Sequence, residues 1–249
     1  MKQIGVITLL AIQLGLFASL PTAQAAEFEL GVAAVNYGSP YKGIASENLM
    51  LPWISYRGER FSLNGLDISY QLYQRDNLNF SFKLAPAASY LDPNKSRDLA
   101  ISKLDKRQFT ALAGAELKYQ LNAYFLKANL LRDITGKHNG IASSATVGRP
   151  FHTAGIIVIP EIGLHYWDSK ISNYYYGVSS AESERSGLTE FQSSAKFRVQ
   201  SGLTVIKQLS PNNKIFFNTS FGRFIGAYDS PVLNKNTMYT GLVGWSYTF

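Results

Sequence analysis

The stretch G-L-V-G-W-S-Y-T-F, residues 241–249, runs to the last residue of the chain. Read backward in steps of two it gives Phe249, Tyr247, Trp245, Val243, Gly241 and Tyr239. The alternate positions are Thr248, Ser246, Gly244, Leu242, Thr240 and Met238. A period of two is a β-strand with one apolar face and one mostly small or polar face. Chain ends ordinarily fray into water and are polar there. An apolar alternation carried to Phe249 therefore needs something apolar to face.

The same period recurs upstream. Residues 109–121 set Phe109, Ala111, Ala113, Ala115, Leu117, Tyr119 and Leu121 against Thr110, Gly114, Glu116, Lys118 and Gln120. Residues 78–87 set Leu78, Phe80, Phe82 and Leu84 against Asn79, Ser81 and Lys83. Twelve such segments are predicted, at 28–37, 49–57, 60–64, 66–73, 78–87, 109–121, 124–132, 140–148, 155–167, 195–208, 214–224 and 238–249. Their connections alternate. Short ones fall at 58–59, 75–77, 122–123, 149–154 and 210–213, and long ones at 38–48, 91–108, 133–139, 169–194 and 226–237. Asn64-Gly65 is a tight hairpin signal where a long loop is due. A ten-stranded alternative, with 60–73 not forming two full strands, follows from that break.

A soluble sandwich and a membrane barrel share this local pattern, because only the medium outside the apolar face differs. Short turns at one end and long loops at the other favour an outer-membrane barrel, with both termini on the periplasmic side. Aromatics near the strand ends point the same way: Tyr37, Trp53, Tyr56, Tyr119, Tyr124, Tyr166, Trp167, Tyr239 and Tyr247 fit headgroup-level girdles. Trp245, Tyr247 and Phe249 form the expected barrel-insertion signal, on a last strand that closes against the first. The fold class is thus an all-β transmembrane antiparallel barrel of about 12 strands.

The N-terminus reads as a secretory signal peptide over residues 1–25. Lys2 is positive, residues 4–20 are almost wholly apolar, and Ala23-Gln24-Ala25 is a small-x-small signal placing cleavage between Ala25 and Ala26. Loss of Lys2 takes the formal charge from +7 to +6. Residues 26–249 form the barrel domain. There is no cysteine, hence no disulfide and no lipid-bearing cysteine. The basic balance has no basic helix or run behind it, so nucleic acid is not an expected partner. Membrane lipid and lipopolysaccharide phosphate are.

Three stretches carry a resemblance. They are L-P-W-I-S-Y-R-G-E-R-F at 51–61 (Leu51, Pro52, Ser55, Tyr56, Arg57, Gly58, Phe61), S-N-Y-Y-Y-G-V at 172–178 (Tyr176, Gly177, Val178), and D-S-P-V at 229–232 (Asp229, Ser230, Pro231). In that order they are similar to the MipA/OmpV family of Gram-negative outer-membrane proteins. The early loop N-Y-G-S-P-Y-K-G departs somewhat from the family's usual stretch. The resemblance implies an outer-membrane location. From the family's namesake it also implies a scaffold in peptidoglycan assembly, bridging a lytic transglycosylase and a murein synthase.

Catalytic signals are weak. The three histidines, His138, His152 and His165, lie in an external loop, a periplasmic connection and a lumen face. His165 follows Glu161 by four residues, about 13 Å along a strand. No G-x-S-x-G occurs, no cofactor or metal is indicated, and the chain is read as non-enzymatic. Asp67, Lys83, Glu116, Lys118, Lys127, Glu161, Lys196 and Arg198 are assigned to the lumen. Five are positive and three negative, an excess that favours anions if the lumen is open. In a filled lumen the same residues must pair. The Tyr-rich loop 169–194 is either an external contact surface or an inward cap. Loop 91–108 carries mixed charge and is a candidate for lipopolysaccharide. Phe151 and His152, in the periplasmic connection 149–154, are candidate partner contacts for the scaffold reading. A narrow solute channel, or an adhesin working through external loops, is the alternative.

Overall fold

The structure is a computed structural model that describes residues 26–87, 89–225 and 229–249. The whole expected signal segment, residues 1–25, lies outside them, and Ala26 is the first described residue. The strands are β1 (Glu27–Gly38), β2 (Glu47–Arg57), β3 (Phe61–Asn64), β4 (Asp67–Arg75), β5 (Leu78–Pro86), β6 (Ala111–Leu121), β7 (Tyr124–Asp133), β8 (Ile141–Gly148), β9 (Phe151–Thr153), β10 (Ile156–Trp167), β11 (Lys196–Ser210), β12 (Asn213–Ile225) and β13 (Thr237–Thr248). All are antiparallel in one sheet.

That sheet closes on itself. β13 pairs with β1 from Glu29↔Thr248 to Gly38↔Tyr239. The Phe249 amide donates to the Phe28 carbonyl, and the two rings lie 5.9 Å apart. The terminal alternation is thereby explained. Tyr239, Val243, Trp245, Tyr247 and Phe249 point outward, whereas Met238, Leu242 and Ser246 are buried inside. Closure pairs the first strand with the last, so neither is left as a free edge strand.

β8 and β9 are one stave of the barrel. Both pair with β10, and the register that joins Gly148 to Glu161 continues unchanged to join Phe151 to Val158. The Arg149 amide donates to the Pro160 carbonyl between them. The barrel therefore has twelve staves. The expected periplasmic connection at 149–154 is corrected: Phe151 and His152 lie on a strand, and the turn is Ala154-Gly155, both with positive φ as a type I′ turn needs. Both strands flanking Asn64-Gly65 form, so the ten-stranded alternative is overturned.

That hairpin is nonetheless short. β3 pairs with only Ser55–Arg57 of β2. Above it, among the described residues, no strand joins β2 on that edge. The Gly65 amide donates to the Ile54 carbonyl, so Pro52, two residues earlier, turns its nitrogen to the same edge. On the far side Ala87 donates to Thr110 of the β6 approach, so the neighbouring Pro86 turns its nitrogen the other way. Each side of the break thus carries a proline where a ladder donor would be unpaired. Loop residues 87–110 strap the top: Lys95 pairs with Glu47 at 2.7 Å, and the Arg97 amide donates to the Gly43 carbonyl.

The girdle assignment needs a second correction. Tyr37, Trp53 and Trp167 point into the lumen and are buried, while Tyr119, Tyr124, Tyr239 and Tyr247 face outward. The inward rings fill the barrel: Trp53 meets Phe216 at 4.7 Å, and Trp167 packs near Phe224.

Candidate functional site: a capped lumen and a periplasmic rim

Loop 168–195 folds inward and caps the extracellular end. Two helices build it, α1 (Ser169–Tyr176) and α2 (Ser180–Ser186). The Asp168 carboxylate accepts the Ile171 amide at the start of α1. Ser179 and Glu182 form a reciprocal capping box on α2, and Gly187 ends it in the left-handed region. The S-x-x-E spacing at 179–182 is a legible start signal that sequence reading passed over. Ile171, Tyr175 and Tyr176 are fully buried. Tyr175 and Tyr176 have gone into the barrel mouth, where burying each ring removes a large apolar area from water, and Tyr174 beside them is half-buried.

The second and third resemblance stretches meet at this cap. The Ser230 hydroxyl donates to the Tyr176 carbonyl at 2.6 Å, Arg107 Nη2 to the Gly177 carbonyl at 3.3 Å, and Val178 bridges to Phe191. Tyr41, from the early loop, donates to the Tyr175 carbonyl and bridges to Leu233. Asp229 and Pro231 flank Ser230 on the same loop. The first stretch lies elsewhere, with Leu51 and Trp53 turned inward, Tyr56 against Phe61, and Gly58 opening the β2–β3 turn.

Two further ties pin the cap. Glu182 accepts the Ser179 and Asp105 amides and Arg107 Nη2 at 2.7 Å. Burial disfavours its charge, but those amides and the guanidinium outweigh it and hold the carboxyl below its ordinary range. His138 accepts the Gly140 amide on Nδ1, so its Nε2 carries the proton and donates to Thr110. Thr110 then donates to Tyr175, which donates to the Gln108 carbonyl. Burial lowers the His138 pKa against the opposing pull of Asp133 and Asp168. These bonds make His138 a cap-fixing residue.

Below the cap the assigned lumen charges divide. Lys83 donates to Asp67 at 3.4 Å and to Glu116 at 3.2 Å, and Lys118 contacts Glu116 at 2.6 Å. Lys127 is buried opposite Lys118 in register. Glu29, Lys214 and Ser246 form another cluster that sequence reading missed. Its signal was Glu29 standing on the inward face of β1. Lys196 donates to Ser194 below the cap. Glu161 and Arg198 instead line a cavity of about 110 Å³ with His165, Gln200 and Tyr37. In loop 91–108, Lys95, Lys106 and Arg107 are engaged by Glu47, Asp92 and Glu182.

At the opposite end, the β8–β10 hairpin passes the start of β7, since Gly148 already pairs with Phe125. Phe151, His152 and Thr153 are all exposed there, and Arg149 stacks on Tyr124 and Phe151 at 5.3 and 4.7 Å. Among the described residues no group of three or more His, Asp or Glu side chains is placed to hold a metal.

This chain is 27% identical over 231 residues to the "Putative outer membrane protein YiaT" of Escherichia coli (strain K12), covering 92% of this chain and 94% of that one. It is 28% identical over 227 residues to the MltA-interacting protein of the same organism, covering 90% of each. Among solved structures, the COG4313 outer membrane channel from Pseudomonas putida F1 matches with a TM-score of 0.46 at 10% identity, over 96% of this chain and all of that one. The closed twelve-stave sheet with its apolar exterior is an outer-membrane barrel. The family described as MltA-interacting protein MipA matches residues 30–249, and the chain belongs to that family.

Proposed function

We propose that the protein is a non-enzymatic scaffold that holds murein-cleaving and murein-synthesising enzymes at the inner surface of the outer membrane. The observation that carries this reading is the cap. With Tyr175 and Tyr176 buried in the barrel mouth and Lys83, Asp67, Glu116 and Lys118 paired below it, the lumen offers little to a permeating solute. The tied-down loops 87–110 and 168–195 likewise offer little to an external ligand. The periplasmic rim remains as a working surface, and its β8–β10 hairpin presents Phe151 and His152 to the solvent. A relative named for its interaction with MltA supports a partner of that class. Exposed aromatic and Arg groups are the side chains that interfaces favour.

Cross-linking in intact cells followed by purification of the barrel tests this. The expected result is co-purification of a lytic transglycosylase and a murein synthase, lost with Phe151→Asp plus His152→Asp. Recovery of the barrel without any periplasmic enzyme, alongside stepwise conductance in planar bilayers, would overturn the scaffold in favour of a channel.

A further inference from the structure

Arg198 differs from Lys83 and Lys118, which meet carboxylates. It is 9% exposed. Its guanidinium lies beside two rings, 5.8 Å from the Trp167 centroid and 5.7 Å from that of Phe224. Nη1 reaches only the Met238 sulfur, at 3.7 Å, and Nε has no hydrogen-bond partner. Gly222 leaves the room this side chain occupies, since a Cβ there would stand 2.9 Å from Arg198 Cδ. The rings orient the cation and offer it only a quadrupole.

No carboxylate touches the guanidinium. The Tyr37 and Tyr176 phenols are within electrostatic reach of the guanidinium, and the Ser89 hydroxyl sits beside both phenols. All three residues are at least 98% buried, and the three oxygens make no hydrogen bond outside this group. Arg198 Nε is thus a buried donor without an acceptor, and the three hydroxyls, which can serve one another, have no partner beyond themselves. Arg198 and Tyr37 also line the 110 Å³ cavity, which has room for several water-sized groups. Glu161 lines the same cavity without an ion-pair partner, so a multiply charged anion would meet repulsion there.

We propose that this cluster is a binding site for a small monocarboxylate, held by the planar fork of Arg198 and by the hydroxyls of Tyr37 and Tyr176. A carboxylate matches the guanidinium fork and supplies four lone-pair sites to a donor-rich wall. This inference is independent of the scaffold reading, because the site lies under the cap and away from the periplasmic rim.

The test uses the full barrel purified in detergent, titrated with sodium acetate by calorimetry and thermal unfolding at constant ionic strength. Sodium chloride and sodium phosphate serve as comparison anions. Saturable acetate binding is expected, with a rise in Tm, and with Arg198→Met weakening it at least a hundredfold. Tyr37→Phe with Tyr176→Phe keeps the charge and the rings, and should weaken acetate about tenfold. No saturable heat or Tm shift with acetate would overturn the site and leave water as its occupant. Saturation by chloride or phosphate but not acetate would overturn the carboxylate assignment. Equal acetate affinity in wild type, Arg198→Met and the double Phe variant would overturn the location.

Discussion

One lumen contains two opposite treatments of buried charge. On the β4–β7 side, Lys83 and Lys118 converge on Glu116, which is fully buried, with Asp67 completing the cluster. On the β11 side, Arg198 lies against Trp167 and Phe224 with no carboxylate touching it. The first arrangement is complete in itself, and each member depends on the others. The second is incomplete, and its members lose little if one is removed. Mutations distinguish the two because breaking a buried pair leaves an uncompensated charge, whereas deleting a lone buried charge removes a cost.

The largest effect should come from Glu116→Leu, which leaves the buried Lys83 and the half-buried Lys118 facing an apolar side chain. A loss of about 3–5 kcal/mol is expected, read from reversible urea unfolding in detergent. Lys83→Met should cost less, because Glu116 keeps Lys118. If the two variants cost the same, the cluster is not centred on Glu116 and the contrast with Arg198 weakens.

Next comes Tyr176→Ala at the cap. It removes a ring that meets Tyr41 at 5.8 Å, Trp167 at 6.1 Å and Phe224 at 5.5 Å. A loss of roughly 3 kcal/mol is expected for a large buried side chain, concentrated in residues 168–195. Hydrogen exchange should show those amides opening while the β11–β13 ladder stays protected. Uniform loss of protection would mean that the cap and the wall unfold as one unit.

Acid should loosen the cap before the wall. His138 has a folded pKa below its ordinary 6.5, so the unfolded chain takes up a proton that the folded chain resists. Its contribution is complete above that value and is lost as pH falls below it. Glu182 is held below its ordinary 4.5, so its contribution is present above that value and is lost on further acidification. Proteolysis within residues 168–195 should therefore rise from neutral pH downward, and again below about pH 4. His138→Gln should remove the first rise and leave the second. A single rise in both proteins would assign the whole effect to carboxylates.

Much of the barrel was legible because the barrel wall is a local code. β13 and β6 alternate without interruption, and their register needs only that one face be apolar. The misreadings fall where neighbours overrule local signals. Arg149-Pro150 looks like a turn, yet β10 supplies the Arg149 amide with an acceptor and the stave continues to Thr153. Tyr37, Trp53 and Trp167 sit near strand ends, as girdle residues do. Their side of the strand is set by the partners' register, and it is the inner one. The cap was half legible: its length and tyrosines were conspicuous, and S-x-x-E at 179–182 marked a helix. That it folds inward depends on Tyr41, Arg107 and Ser230, which come from three distant loops. The Arg198 site was legible only as one more lumen charge, since its lack of a partner is a property of three dimensions.

The smallest stability effect, and the sharpest test of the contrast, belongs to Arg198→Met. In buffer free of small carboxylates, methionine should change stability by no more than about 1 kcal/mol, or raise it, because an unpaired buried cation gives way to an apolar side chain of similar length. Acetate at a hundred times its dissociation constant should then stabilise the wild type by about 2.7 kcal/mol through mass action and leave the variant unmoved. The order of the two proteins would reverse with ligand. Glu116→Leu should show no such reversal, since its cluster is closed by its own lysines. A large loss in Arg198→Met without ligand would instead mean that its contacts with Trp167 and Phe224 hold the upper lumen together, and the two charge regions would then differ in partner type and not in completeness.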